Sequence, residues 1–526
     1  MSLHPSTARQ GAPRLEKALA PGSETATGSG PASIAAIRDA LRTGREPPAA
    51  QIFARAPSYR WLVVGTVCIG AFMGQVDSSI TQLLLPRLES EFDAQLSTVS
   101  WVAVAYLLAM AAFLPIFGRL ADILGRKLLY TGGFLLFVLS SGLCGLAPNL
   151  PVLIAFRVLQ GIGAALLSSN SVAIVVAAAG GQMRGRALGI QAAAQAVGLS
   201  AGPAIGGLVL DVLDWRWVFF INVPVGLGGT VMGWFVLPST RDLPAEAHFD
   251  WNGALLIAPA LTAVMVVLNE GYAWGATSPL LLGAALLAAI LLVLFVRCER
   301  NADAPLIDLA LFRQRAFALG NIAGLLSYAA LFGLFFLMPF VFVRAYHDSI
   351  LTAGLRLCIV PVLIGAAAPV GGVLYDKLGA RAPTVVGMLI GVAGLMMLGT
   401  VLDGARDGLP LVMLALALFG VGQGLFVSPN NSTIVAAAPA SLTGEAGGFL
   451  NVTRACGVSV GVAAASSLLA WRLAVLTGSG HNTLHAGMHD LISAGRDVIV
   501  LLTSFAAVAG ALSFAQAPPR SAQRAG

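Results

Sequence analysis

Asp77, Arg157, Arg356 and Arg454 sit inside long apolar stretches, where ionisable residues are out of place. At the centre of a membrane helix a charge costs roughly 2.5–3.5 kcal/mol on insertion scales, so each implies a partner or a task. Asp77 lies sixteen residues beyond Trp61, about 24 Å along a helix at roughly 1.5 Å per residue. Arg157 follows Pro151 by six residues, about 9 Å down a helix that runs the other way. In an apolar layer about 30 Å thick, both reach the same half and can pair if their helices adjoin. A carboxylate beside a guanidinium keeps its charge, whereas the same group buried alone takes up a proton. The pair reads either as a proton switch or as a static ion pair that fixes helix register.

Other polar residues cluster in the same stretches. Gln75, Ser78 and Gln82 recur at helical spacing beside Asp77, with Thr81 one turn above it. Such a stripe either lines a water-filled cavity or bonds helices together, at about 0.6 kcal/mol per bond. Arg157, Gly161 and Ala165 follow at i, i+4 and i+8, a small-residue groove beneath the charge. Gln160 can bond the guanidinium or the first apolar segment. Arg454 comes about 14 Å into its segment, with Asn451 three residues earlier, and calls for a carboxylate, helix C-terminal carbonyls or an anionic substrate. Arg356 lies nearer the surface and can snorkel to it. Asn430 and Asn431 match a glycosylation pattern, but their place in an apolar segment points to bonds across helices or to substrate. Gln75, Ser78, Gln82, Gln160, Asn430, Asn431 and Arg454 together are the candidate substrate cavity. Phe332, Phe335, Phe336 and Phe340 form either an aromatic binding wall or ordinary packing.

The elements that must hold these residues follow from composition. The chain has 526 residues, of which 57% are hydrophobic and 11% charged, with a mean hydropathy of +0.83. Soluble domains carry about 25% charged residues, so this is an all-α polytopic membrane protein. Runs of about 20 apolar residues, enough to cross a bilayer, fall near 61–84, 99–118, 128–147, 151–176, 187–210, 217–237 and 252–269. Seven more fall near 279–297, 317–343, 352–374, 383–402, 409–436, 446–470 and 497–517. With the N-terminus inside, cytoplasmic segments receive 22 Lys and Arg, outer segments six, and the spans three. This asymmetry puts both termini in the cytoplasm and implies a bacterial-type plasma (inner) membrane. The net charge of +6 then faces the lipid bilayer surface, and nucleic acid is not a partner. Residues 1–55, rich in Ala, Pro, Gly, Ser and Arg without an apolar core, read as a disordered basic tail with a short helix near 33–43, not a signal peptide. The five cysteines are scattered through apolar runs, with neither disulfide nor metal spacing.

An internal repeat divides the chain. GRLADILGRK follows the second span and GGVLYDKLGAR ends the tenth. Both carry G-x-x-x-D-x-x-G, as Gly118, Asp122, Gly125 and as Gly372, Asp376, Gly379, followed by Arg126 and Arg381. Carboxylates favour helix N-termini, so Asp122 can latch onto a neighbouring helix start in one conformation only. Duplicated halves are how many secondary transporters are built. The expected units are 56–238 and 301–517, six spans each, two spans inserted at 239–300, and a tail at 518–526.

The loop motif, RVLQGIGAA in the fourth span, GLSAGPAIGG in the fifth and DWRWVFFINVPVG after it resemble the major facilitator superfamily, within it the fourteen-span drug:proton antiporters. The resemblance implies that spans one and four adjoin and that Arg157 takes part in proton transfer. It departs at DSSITQLLLP, where Gln82 replaces a usual apolar residue. In GLSAGPAIGG, Gly198, Gly202 and Gly206 share one face, with Pro203 and Gly207 beside them. Small residues let a neighbouring backbone approach, and the proline favours a kink. The resemblance makes this an antiporter helix bend that closes the protein against leaks.

No phosphate loop, H-E-x-x-H, Cys-x-x-Cys or G-x-S-x-G is present, so no enzyme, cofactor, metal or ATP-driven cycle is expected. The proton gradient is the expected energy source. The leading expectation is a proton-coupled antiporter exporting amphipathic or cationic toxic compounds, that is, multidrug efflux. The alternatives are a proton-coupled exporter or symporter of a defined polar or anionic metabolite and a non-transporting membrane sensor. A monomer is the expected state, with a periplasmic adaptor and an outer-membrane channel as candidate partners.

Overall fold

A computed structural model of the chain describes residues 49–239, 250–275, 277–302, 305–306, 308–439, 442–478 and 486–516. The short helix expected near 33–43 lies outside them. In lipid every backbone polar group needs an internal partner, which leaves helices and closed barrels. Among the described residues the chain forms helices and no strand.

Among the described residues, fourteen helices are long and apolar enough to cross a membrane. The first six are α1 (Tyr59–Phe92), α2 (Leu96–Ala121), α3 (Arg126–Gly145), α4 (Leu150–Gly180), α5 (Arg186–Val212) and α6 (Trp217–Val236). An inserted pair follows, α7 (Trp251–Gly271) and α8 (Pro279–Asn301). The last six are α9 (Arg315–Ala345), α10 (Ile350–Leu378), α11 (Arg381–Val401), α12 (Arg406–Ala437), α13 (Glu445–Thr477) and α14 (Met488–Ala515). The near side below is where α1 begins and α14 ends; the far side is opposite.

Several helices outrun their apolar cores. α14 begins at Met488 instead of near 497, and α1 continues to Phe92 instead of ending near 84. The extra turns bring polar groups to partners that hydropathy does not register. Arg496 in α14 donates to the Leu402 carbonyl at 2.8 Å, and Arg472 near the end of α13 pairs with Asp497. Both arginines, expected in loops, belong to helix ends.

The repeat is realised in the backbone. Gly125 after α2 has φ 102° and Gly379 after α10 has φ 75°, values that a Cβ disfavours. Their N–H groups bond the Ala121 and Tyr375 carbonyls at 3.0 and 2.9 Å. Of the expected latch, the Asp122 side chain lies outside the described residues. Gly118 has open space around it, Arg126 opens α3, and Asp376 is exposed in the last turn of α10. Arg381 places its guanidinium over the Phe514 ring at 3.7 Å.

Each half packs on itself, and the two meet along α2 and α13 and, on the far side, where α10 meets α5. α1 rests on α4 and α5, while α9 rests on α13 and α14. α7 pairs with α8 and lies against both α2 and α13. Asn269 of α7 accepts from Ser100 of α2 at 3.0 Å and from Ser466 of α13 at 3.2 Å, so it touches both halves. Beside it, Trp101 donates its indole N–H to Glu270 at 2.6 Å.

GLSAGPAIGG forms a two-sided interface. A Cβ at Gly198 would lie 2.6 Å from the Phe72 carbonyl oxygen of α1, and Cβ atoms at Gly202 and Gly206 would collide with Ser79 and Ile80. Gly207 turns toward the other half, where a Cβ would stand 2.8 Å from Leu351 Cα of α10. Conversely, a Cβ at Gly354 of α10 would strike the Pro203 carbonyl. α5 stays helical through Pro203, and the segment docks closely on α1 and α10. The seam is extended by the Cys358 thiol donating to the Ser200 carbonyl at 3.2 Å and by Arg344 donating to the Pro86 carbonyl at 3.2 Å. Arg356 does not snorkel alone; it pairs with Asp348 at 3.2 Å. Burial pushes the Asp348 carboxyl up, and Arg356 and Arg406 pull it back down.

Candidate functional site

Asp77 and Arg157 meet, fully buried. Arg157 Nη1 donates to Asp77 Oδ2 at 2.8 Å. α1 and α4 adjoin, and the depths inferred from helical rise bring the two side chains level. Asp77 Oδ1 accepts from Gln160 Nε2 at 2.8 Å and from Asn222 Nδ2 at 3.0 Å. Arg157 also donates to Gln160 Oε1 at 2.7 Å and, through Nε, to the Val102 carbonyl at 2.9 Å. Ser141 of α3 accepts from both amides at 3.2 Å and passes its own proton to the Phe219 carbonyl at 2.9 Å. Buried charges persist where they are paired and hydrogen-bonded, and this carboxylate holds three donors.

Close helix contact makes the cluster possible. A Cβ at Gly161 would collide with the Tyr106 carbonyl of α2 and lie 2.9 Å from Ala109 Cβ. Without one, α2 and α4 approach until the Tyr106 ring stacks under the Arg157 guanidinium, 4.2 Å from its centroid. Ring faces attract cations most when water is excluded.

Tyr106 has a second neighbour. It lines a central cavity of about 830 Å³ including its open mouth, enclosed by residues of α1, α2, α3, α4, α5, α9 and α13. Gln75, Ser78 and Arg454 of the expected set line it, joined by Asn451, Gln195, Ser168 and Ser171. The others do not, and the assignment is corrected for each. Gln160 belongs to the Asp77 cluster. Gln82 is buried outside the cavity with neither amide atom bonded. Asn430 joins helices, donating to the Gly320 carbonyl at 3.1 Å and accepting from Gln516 at 3.3 Å. Asn431 is on the same helix, α12, which contributes nothing to the cavity. Of the phenylalanines, Phe332 lines the cavity, while Phe335, Phe336 and Phe340 are fully buried packing.

Asn222, Ser141 and Tyr106 were not legible as site residues. Asn222 stands within DWRWVFFINVPVG, and its only sequence signal is an amide in an apolar run. Asn222→Leu keeps the branching of the side chain and removes one donor from a buried carboxylate. A hydrogen bond to a charged group is worth about 1.5–3 kcal/mol, and chemical denaturation in detergent is expected to register that loss. An unchanged unfolding free energy would mean that Gln160 and Arg157 satisfy Asp77 without it.

Comparison with known proteins places the architecture. The profile of the Major Facilitator Superfamily matches residues 67–462. The chain belongs to that superfamily. This major facilitator is 34% identical over 414 residues to the riboflavin transporter RibZ of Clostridioides difficile, covering 79% of this chain and 89% of that one. It is 32% identical over 417 residues to the multidrug resistance protein B homolog of Mycobacterium tuberculosis, covering 78% and 76%. Among solved structures, a bacterial homolog of the human lysosomal transporter Spinster, inward-facing and unoccupied, superposes with a TM-score of 0.63 at 14% identity, covering 88% of this chain and 97% of that one. This major facilitator is therefore a multi-pass membrane transporter of a small molecule and not an enzyme.

Proposed function

We propose that this major facilitator exports amphipathic small molecules in exchange for protons, by alternating access, across a bacterial-type inner membrane with both termini in the cytoplasm. The observation that carries this reading is the Asp77–Arg157 pair, buried beside the central cavity and separated from it by the Tyr106 ring. A group that exchanges protons must gain and lose a counter-charge during the cycle. Substrate in the cavity holds Tyr106 and the guanidinium stacked on that ring in place, so Arg157 stays on Asp77 and the carboxylate keeps its charge. When a proton reaches Asp77 it releases Arg157, and the Tyr106 ring shifts with the guanidinium toward the cavity, so proton and substrate are bound in turn. The riboflavin transporter and the multidrug resistance protein among its relatives support movement of small molecules. One elementary charge crossing 100 mV releases about 2.3 kcal/mol, enough to export against a tenfold gradient.

Purified protein in proteoliposomes tests the exchange. With an imposed pH gradient, entrapped amphipathic dye is expected to move against the proton flow and to stop when an ionophore collapses the gradient. Movement with the protons would make the protein a symporter, and flux indifferent to the gradient would remove proton coupling altogether.

A further inference from the structure

We propose that the central cavity selects anions: Arg454 receives a carboxylate, sulfonate or phosphate carried by an amphipathic substrate. This rests on the cavity being the transport site and adds the charge of what it carries.

Arg454 is the one charged residue among those lining the cavity, and no carboxylate lines it. Its neighbours are neutral. Nη1 faces Gln195 Oε1 at 3.4 Å, near the limit of a hydrogen bond, and the guanidinium lies 5.2 Å from the Tyr328 ring centroid. Arg157 is the contrast: it holds a carboxylate, an amide oxygen and a backbone carbonyl at 2.7–2.9 Å. A guanidinium at mid-membrane depth with partners this weak is expensive unless something anionic joins it. Asp77 cannot serve, because it is fully buried in the adjoining cluster and already bonded to Arg157.

The surroundings of Arg454 fit an acid-bearing guest. Gln75, Ser78 and Asn451 offer neutral polar groups on the same cavity wall. Leu107, Met110 and Phe332 supply apolar surface for the body of the molecule. A guanidinium binds planar oxyanions through parallel N–H donors, so a carboxylate or sulfonate at one end of an aromatic amphipath satisfies both parts. A purely cationic guest meets a like charge and no counter-ion, which removes cations from the class expected from the sequence.

Two xanthene dyes of one shape and opposite charge separate these cases: fluorescein, which carries a carboxylate, and rhodamine 123, which is cationic. Their binding is followed by fluorescence polarisation on full-length protein in phosphatidylcholine nanodiscs, without a pH gradient, so failure of proton coupling leaves the measurement intact. Wild type is expected to bind fluorescein in preference to rhodamine 123. Arg454→Gln should weaken fluorescein about tenfold or more, Arg454→Lys should recover much of it, and Arg454→Glu should reverse the preference. Thermal unfolding of each variant identifies any that fails to fold, and Arg454→Lys keeps the test valid if Arg454→Gln is one of these. Equal binding of both dyes by wild type, or fluorescein affinity indifferent to Arg454, overturns the proposal. A lipid phosphate has the same chemistry, so the titration is repeated with phosphatidylglycerol added. If that lipid displaces fluorescein from wild type and from Arg454→Lys alike, the anion at Arg454 is a headgroup and the substrate assignment falls.

Discussion

Asp77→Asn is expected to abolish transport driven by a pH gradient while dye binding and substrate-for-substrate exchange continue. The carboxamide keeps the shape of the carboxylate and can still meet Gln160 and Asn222, but it cannot carry a proton. Exchange needs the carrier to reorient only when loaded, so it survives loss of the proton site. The substitution also leaves Arg157 buried opposite a neutral group. Removing one partner of a buried ion pair costs about 3–5 kcal/mol, so Asp77→Asn should also be the least stable single variant of the cluster. Asp77→Asn combined with Arg157→Gln removes both charges and should regain stability without regaining gradient-driven flux. That divergence separates a proton carrier from an ion pair that merely fixes helix register. Counterflow and pH-jump flux measured on the same vesicles decide it, and gradient-driven flux at the wild-type level in Asp77→Asn would move the proton to another group.

Gly207→Val with Gly354→Val is expected to force the far side open. Both glycines sit where the halves meet backbone to backbone, Gly207 on Leu351 and Gly354 on the Pro203 carbonyl. Backbone cannot turn aside as a flexible side chain does, and overpacking costs typically about 1–3 kcal/mol per site. At about 1.4 kcal/mol per tenfold, the pair of substitutions shifts the balance between conformations by roughly 25- to 20,000-fold. Cys358 reports on the seam because its thiol lies against the Ser200 carbonyl. With Cys68, Cys144, Cys298 and Cys456 replaced by Ala, a membrane-impermeant maleimide added from the far side should label Cys358 faster by about tenfold or more. Equal labelling rates in the two backgrounds would show that the seam closes without these contacts.

Some of this architecture could be read from residue types and some could not, for physical reasons. A bilayer demands length and apolarity, so fourteen spans follow from hydropathy alone. Helical rise converts sequence separation into depth, which is why Asp77 and Arg157 were expected to be level. Depth does not give direction around a helix axis. Gln82 and Asn430 are polar residues in apolar runs, which establishes that they are buried with a purpose but not which neighbour they face. Gln82 continues the stripe of Gln75 and Ser78 yet is buried outside the cavity. Asn222 reached the site from α6, a helix whose approach to α1 exists only in three dimensions. The glycines of GLSAGPAIGG declared a close approach, and only the packed structure assigns three to α1 and Gly207 to α10.

On the proposed exchange, the charge of the substrate held by Arg454 sets the current that accompanies transport. When an anion leaves as one proton enters, both movements carry positive charge inward, two elementary charges per cycle. At about 2.3 kcal/mol each for 100 mV, that is about 4.6 kcal/mol of electrical work per turn. A neutral guest would move one charge and a cation none. A carrier built around Arg454 therefore draws on membrane voltage as well as on acidity, and it would keep exporting at alkaline pH after the proton gradient has vanished.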